Sequence, residues 1–209
     1  MTFSNARLGA CVAFAAMAVA APAWAHHVMG GELPRTFLQG LLSGLAHPVI
    51  GLDHLAAIVG VGILVALAGR GVVPVLAFTG AMIAGVAIHL GKVGIPASEL
   101  LVGLSTLAIG ALVILRQSMR APVAAALFGV AGLVHGYALG ESIVGAEPAP
   151  LVAYFAGLLI IQTAIALAAY SAVLGLARWP ARTTGLTMVG ILVALAGGAT
   201  AVAAAGLAG

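Results

Sequence analysis

Long apolar runs separated by very short polar connections make up most of the chain, extending over about 37–69, 72–90, 97–115, 121–141, 151–177 and 185–207. A helix crosses a hydrocarbon core in about 20 residues, so each run can span a bilayer once. The pattern predicts an all-α integral membrane protein with about six transmembrane helices. The first run stands apart in length. As one straight helix it would measure about 50 Å, longer than the bilayer is thick, so it must tilt, protrude or break.

Ahead of these runs, Arg7 precedes an apolar segment from Leu8 to Ala21, followed by Ala23-Trp24-Ala25. This is the layout of a secretory signal peptide with a small-x-small cleavage site. It predicts a leader over 1–25 and a mature polytopic domain over 26–209 that begins at His26. Leu8-Gly9-Ala10-Cys11 resembles a lipoprotein box, but cutting there would leave almost no apolar segment upstream. Cleavage after Ala25 removes the only Cys, and with it any disulfide or thiolate ligand.

The few charges orient the spans. Arg70, Arg116, Arg120, Arg178 and Arg182 fall at the ends of the first, third and fifth runs, with Lys92 and Arg35 opposite. The positive-inside rule then places the Arg-rich connections in the cytoplasm of a bacterial inner membrane, and both mature termini in the periplasm. Of 209 residues, 63% are hydrophobic and 6% charged, and the mean hydropathy is +1.24. Eight basic against five acidic side chains are too sparse to cover a phosphate backbone, which excludes nucleic acid as a partner. No phosphate-cradling glycine loop occurs, so an ATPase would have to be another subunit.

Chemistry concentrates in the first run, at His47-Pro48-Val49-Ile50-Gly51-Leu52-Asp53-His54. Pro48 deprives the Gly44 carbonyl of its helical donor and Gly51 loosens the following turn, so a kink or unwound segment is expected. On an unbroken helix His47 and His54 would share a face about 10 Å apart, with Asp53 pointing elsewhere. Unwinding lets the three converge. Buried imidazole with carboxylate suits nickel, cobalt, zinc or ferrous iron, and ionisable groups inside a membrane mark functional sites. The plainer reading is a Pro/Gly kink with a His–Asp hydrogen bond joining helices.

The fourth run echoes the first. Gly44-Leu45-Ala46-His47 is matched by Gly132-Leu133-Val134-His135, and six residues beyond each His stands an acid, Asp53 or Glu141. Three spans separate the two, so they would run in opposite directions, as in a 3+3 inverted repeat with its site at the repeat interface.

His47-Pro48-x-x-Gly51-x-Asp53-His54 and His135-Gly136-Tyr137-Ala138-x-Gly140-Glu141 resemble the two motifs of the HupE/UreJ family, and the resemblance extends over the mature chain. It implies a permease for nickel, sometimes cobalt, that supplies hydrogenase or urease maturation. On that resemblance His47, Asp53, His54, His135 and Glu141 carry the metal, and the protein is not an enzyme. Some relatives have a further His where this chain has Leu139. No cofactor is expected to be permanently bound. Nickel(II) or cobalt(II) is cargo, and the partners are that ion and the lipid bilayer.

Several polar residues lie elsewhere. His89 and Glu99 near the outer surface, with His26 and His27 at the freed N-terminus, form a possible entry site. Glu147 adds negative charge near the mouth. Ser105, Thr106, Gln162 and Thr163 read as interhelical hydrogen-bonding groups. Two other classes of function fit parts of the pattern. Axial haem ligation by His54 and His135 leaves Asp53 and Glu141 unexplained, and a serine hydrolase built on Ser142 lacks a Gly-x-Ser-x-Gly elbow.

Overall fold

A computed structural model of the protein describes residues 32–69 and 71–207. The expected leader, His26, His27 and Arg70 lie outside the described residues. Among those described there are seven α-helices and no strand: α1 Phe37–Ile50, α2 Leu52–Ala68, α3 Val73–Leu90, α4 Ser98–Ile114, α5 Ala121–Gly140, α6 Pro148–Gly175 and α7 Arg182–Ala204. The 3-10 turn Glu141–Ile143 extends α5. On length and composition α3, α5, α6 and α7 can each cross a membrane, and the α1–α2 pair would make a fifth crossing. Helix α4 is apolar but has only 17 residues, at the short end for a span.

The long first run is two helices. Thr36 opens α1 with a reciprocal capping box, its hydroxyl accepting from Gln39 N at 3.2 Å and the Gln39 side chain accepting from Thr36 N at 3.1 Å. The helix tolerates Pro48 in its last turn and ends at Gly51, whose ψ of 98° is extended. Helix α2 then leaves at a bend of 79°. The break expected from Pro48 and Gly51 is therefore present, and it falls at the glycine. A proline near a helix end removes a single backbone bond, whereas a residue in extended conformation stops the ladder.

Two features show that the bent pair advances across the bundle and does not turn back as a re-entrant loop. Gly40 lies against the backbone of Pro150 and Gly44 against that of Tyr154, near the start of α6, while Gly62 of α2 lies against Ala166, farther along the same helix. The direction of travel along α6 is thus maintained through the bend.

Glycine sets the other pairings as well. On α5, Gly132 and Gly136 rest on the backbone carbonyls of Phe78 and Met82, so α3 and α5 run parallel. Gly103 meets Ala201, and Gly110 meets Ala194, so α4 and α7 run antiparallel. These directions match strict alternation of spans. Where lipid removes the hydrophobic drive for helix association, close backbone approach over small residues supplies the packing. Helix α2 occupies the centre, with Ala57, Ile58, Val61, Ile63, Leu64, Val65 and Ala66 all buried. Beyond Asp53 and His54 its sequence is apolar on every side, since most of its surface meets protein and the face of Leu52, Leu55, Ala56 and Val59 lines an open apolar groove. Leu104, Val152, Ile160 and Leu195 project from the surrounding helices as exposed apolar residues, which a bilayer would cover.

The two echoing motifs have different backbone settings. The first straddles the bend at Gly51, while the second lies in a helix that runs unbroken to Gly140 and continues as a 3-10 turn.

Candidate metal site

The break at Gly51 sets His47 at the end of α1 and Asp53 and His54 in the first turn of α2, so three polar residues reach the interior from one short segment. They are 3%, 6% and 4% exposed, and His135 of α5 is 0% exposed. The His47 and His54 rings lie 6.4 Å apart between centroids, and those of His54 and His135 5.0 Å apart. A line of three imidazoles therefore runs from α1 through α2 to α5.

Hydroxyl groups hold the two outer rings of this line. Ser105 Oγ and Thr106 Oγ1, on α4, each lie 2.9 Å from Val102 O, and both oxygens face His135 Nε2, at 3.1 and 3.3 Å. With the hydroxyl protons on that carbonyl, the oxygens accept from His135 Nε2, which leaves a lone pair at Nδ1. His54 Nδ1 stands 2.9 Å from His135 Nδ1, so one of the two donates to the other. At His47, Tyr154 OH and Ser142 Oγ lie 2.8 and 3.1 Å from Leu139 O and 3.4 and 3.0 Å from His47 Nδ1. They fix the Nδ1 side of that ring.

The Asp53 carboxylate is tied to two further groups. Its Oδ1 accepts from the His54 backbone N–H at 2.8 Å, at the positive end of the α2 dipole, and its Oδ2 accepts from Thr200 of α7 at 3.2 Å. Glu141, expected among the ligands, has an exposed side chain in the 3-10 turn. Its neighbour Ser142 is the residue that reaches His47 instead, because the tight turn swings successive side chains by about 120°. Among the described residues, no three His, Asp, Glu or Cys side chains gather closely enough to hold an ion in this conformation.

The expected entry residues fare differently. His89 Nδ1 bonds the Tyr137 carbonyl at 2.8 Å and its ring packs on the Tyr137 ring with centroids 4.5 Å apart, so it ties α3 to α5. Glu99 is exposed in the first turn of α4 and Glu147 is exposed at the N-cap of α6. Ser105, Thr106 and Thr163 make interhelical hydrogen bonds, as expected. Gln162 does not: neither polar atom of its buried amide has a partner. Sequence reasoning missed Tyr154 and Ser142 as partners of His47, and only the four-residue spacing of Tyr154, Leu158 and Gln162 on α6 hinted that Tyr154 faces inward.

Gly51 is needed for its lack of a side chain. A Cβ there would lie 2.8 Å from His54 Cδ2, so Gly51→Ala is expected to push the ring off His135 and destabilise the fold by about 1–3 kcal/mol. A thermal melt of the detergent-solubilised protein checks this; an unchanged midpoint would show that the ring yields freely.

No solved structure matches the chain. Protein HupE of Rhizobium leguminosarum bv. viciae is 31% identical over 125 residues, covering 59% of this chain and 63% of that protein, so the match spans less than two thirds of the relative. The sequence pattern of the family described as HupE / UreJ protein matches residues 14–202. Since that match takes in both histidine motifs and all but the last residues of the helical bundle, the chain belongs to the HupE/UreJ family.

Proposed function

We propose that this protein is a permease that carries a divalent first-row cation, nickel or cobalt, inward across the bacterial inner membrane for the maturation of a hydrogenase or urease. The observation that carries the reading is the His54–His135 pair. Two imidazole nitrogens bound side by side to one ion at about 2.1 Å each are about 3 Å apart, and the two Nδ1 atoms stand at 2.9 Å. A cation bound to both rings replaces the hydrogen bond between them, and the one proton that bond used moves to the far nitrogen of its own ring, so both imidazoles stay neutral. Ser105 and Thr106 hold the other ring nitrogen of His135, the outer support that metal-binding imidazoles use. His47, one ring away, and Asp53 complete the site when the Gly51 hinge flexes, and the carboxylate balances the charge of the ion.

The Arg-rich connections face the cytoplasm and the mature termini the periplasm. The inside-negative potential favours entry by about 2.3 kcal/mol per charge per 100 mV, so a divalent ion needs no ATP to move inward. Haem ligation is disfavoured because a macrocycle would have to lie where the two rings touch. Ser142 beside His47 resembles a nucleophile and base, but its hydroxyl is also shared with Leu139 O and Tyr154 OH, and no Gly-x-Ser-x-Gly elbow presents it.

The test is uptake of radioactive nickel in cells lacking their own importer, with cobalt and zinc as competitors. Protein-dependent accumulation is expected, and its absence at good membrane expression would refute the reading. Protons compete with the ion for imidazole nitrogen, so uptake should fall as the external medium is acidified, and uptake that rises on acidification would count against a histidine site.

A further inference from the structure

Gln162 is a buried polar residue away from the histidine line. It lies at the middle of the 28-residue α6, it is 0% exposed, and both Nε2 and Oε1 are buried without a hydrogen-bond partner. An unpaired buried polar group is costly, and here an amide leaves two unsatisfied. Leucine or methionine would fill the same space without that penalty. Polar groups kept at mid-membrane depth mark ion and substrate paths.

Its position gives the ligand. Tyr154, Leu158, Gln162 and Ala166 form the inward-facing row of α6, each fully buried. Tyr154 is the residue that contacts His47, and Gln162 stands two turns, about 12 Å, farther along the helix. That direction leads to the end carrying Arg178. Beside Gln162, Thr163 Oγ1 donates to Thr79 Oγ1 of α3 at 3.4 Å, so a second polar level crosses the bundle there.

Building on the permease reading, we infer that Gln162 is a second, transient station for the cargo on its way inward, where a divalent cation that has left the histidines is held with part of its water shell by the amide oxygen. A neutral oxygen donor suits this step. It lowers the barrier in the apolar interior, yet holds a nickel or cobalt ion far more weakly than imidazole does, so the ion can leave.

The experiment compares the full-length protein with Gln162→Met, Gln162→Glu and His54→Ala in proteoliposomes, reading nickel influx with a trapped metal-sensitive dye. Nickel binding and thermal midpoint are measured on the same proteins in detergent. Gln162→Met is expected to lower influx about 10-fold while leaving nickel binding intact and the thermal midpoint equal or higher. Gln162→Glu, which keeps an oxygen at the same reach, should retain influx. Gln162→Met influx equal to wild type, with His54→Ala inert, overturns this inference alone. Equal influx by His54→Ala overturns the histidine site from which the ion would reach Gln162, and wild-type protein that adds no influx overturns the permease reading; either takes this inference with it. Should Gln162→Met not fold, Gln162→Asn retracts the same amide by one methylene, and undiminished influx by a folded Asn variant again overturns the station.

Discussion

His54→Ala is expected to reduce nickel accumulation about 100-fold or more at equal membrane abundance. Removing an outer-shell partner of a metal-bound imidazole typically costs 10- to 100-fold in affinity or activity, and loss of the imidazole itself costs more. His54 is the middle ring of the line, 5.0 Å from His135 and 6.4 Å from His47 between centroids, so its loss separates the other two. The double variant Ser105→Ala, Thr106→Ala gives a graded companion. It leaves every histidine in place but releases His135 Nε2, so the lone pair is no longer aimed at His54. A reduction of about 10- to 100-fold is expected. Accumulation by His54→Ala equal to wild type would sink the proposal, and an unaffected double variant would show that the hydroxyl pair serves only the helix.

Gly136→Val should be among the most destabilising single changes in the molecule. The added Cβ would run into the Met82 backbone carbonyl, which cannot yield as a flexible side chain would. The two helices must separate, which opens the interface that Gly132 and Gly85 also form, against Phe78 and Leu133. Overpacking of a close backbone contact costs about 3 kcal/mol or more, and the neighbouring His135 would move with the helix. Gly80 and Gly129 supply controls on the same two helices, because a Cβ at either meets nothing within 4 Å. Alanine there should be neutral or stabilising by up to about 1 kcal/mol, the helix-propensity gain. Thermal midpoints in detergent decide the matter, and a Gly136→Val protein melting with wild type would show that the α3–α5 contact is not what holds these helices.

The helices were legible in the sequence because lipid imposes a coarse demand, about 20 apolar residues per crossing, that composition alone satisfies or does not. The break was legible for an equally local reason, since Pro48 and Gly51 act on the backbone of their own turn. Other expectations needed distant parts of the chain. Glu141 stands six residues beyond His135 as Asp53 does beyond His47, but the 3-10 turn exposes its side chain and brings Ser142 to His47. Gln162 reads as an interhelical bridge, and no polar atom from a neighbouring helix reaches it.

By itself, then, the chain determined membrane residence, the number of apolar runs, the site of the break and which residues had to be costly in oil. Only the tertiary structure decided that His54 meets His135 across 81 positions of sequence, that Asp53 is held by α7 and the start of its own helix, and that Tyr154 supports His47. Local rules set where a helix begins, bends and ends. Which side chains touch across helices depends on the rotation of each about its axis, and here that rotation is set by glycines whose bare backbones let particular pairs approach and no others.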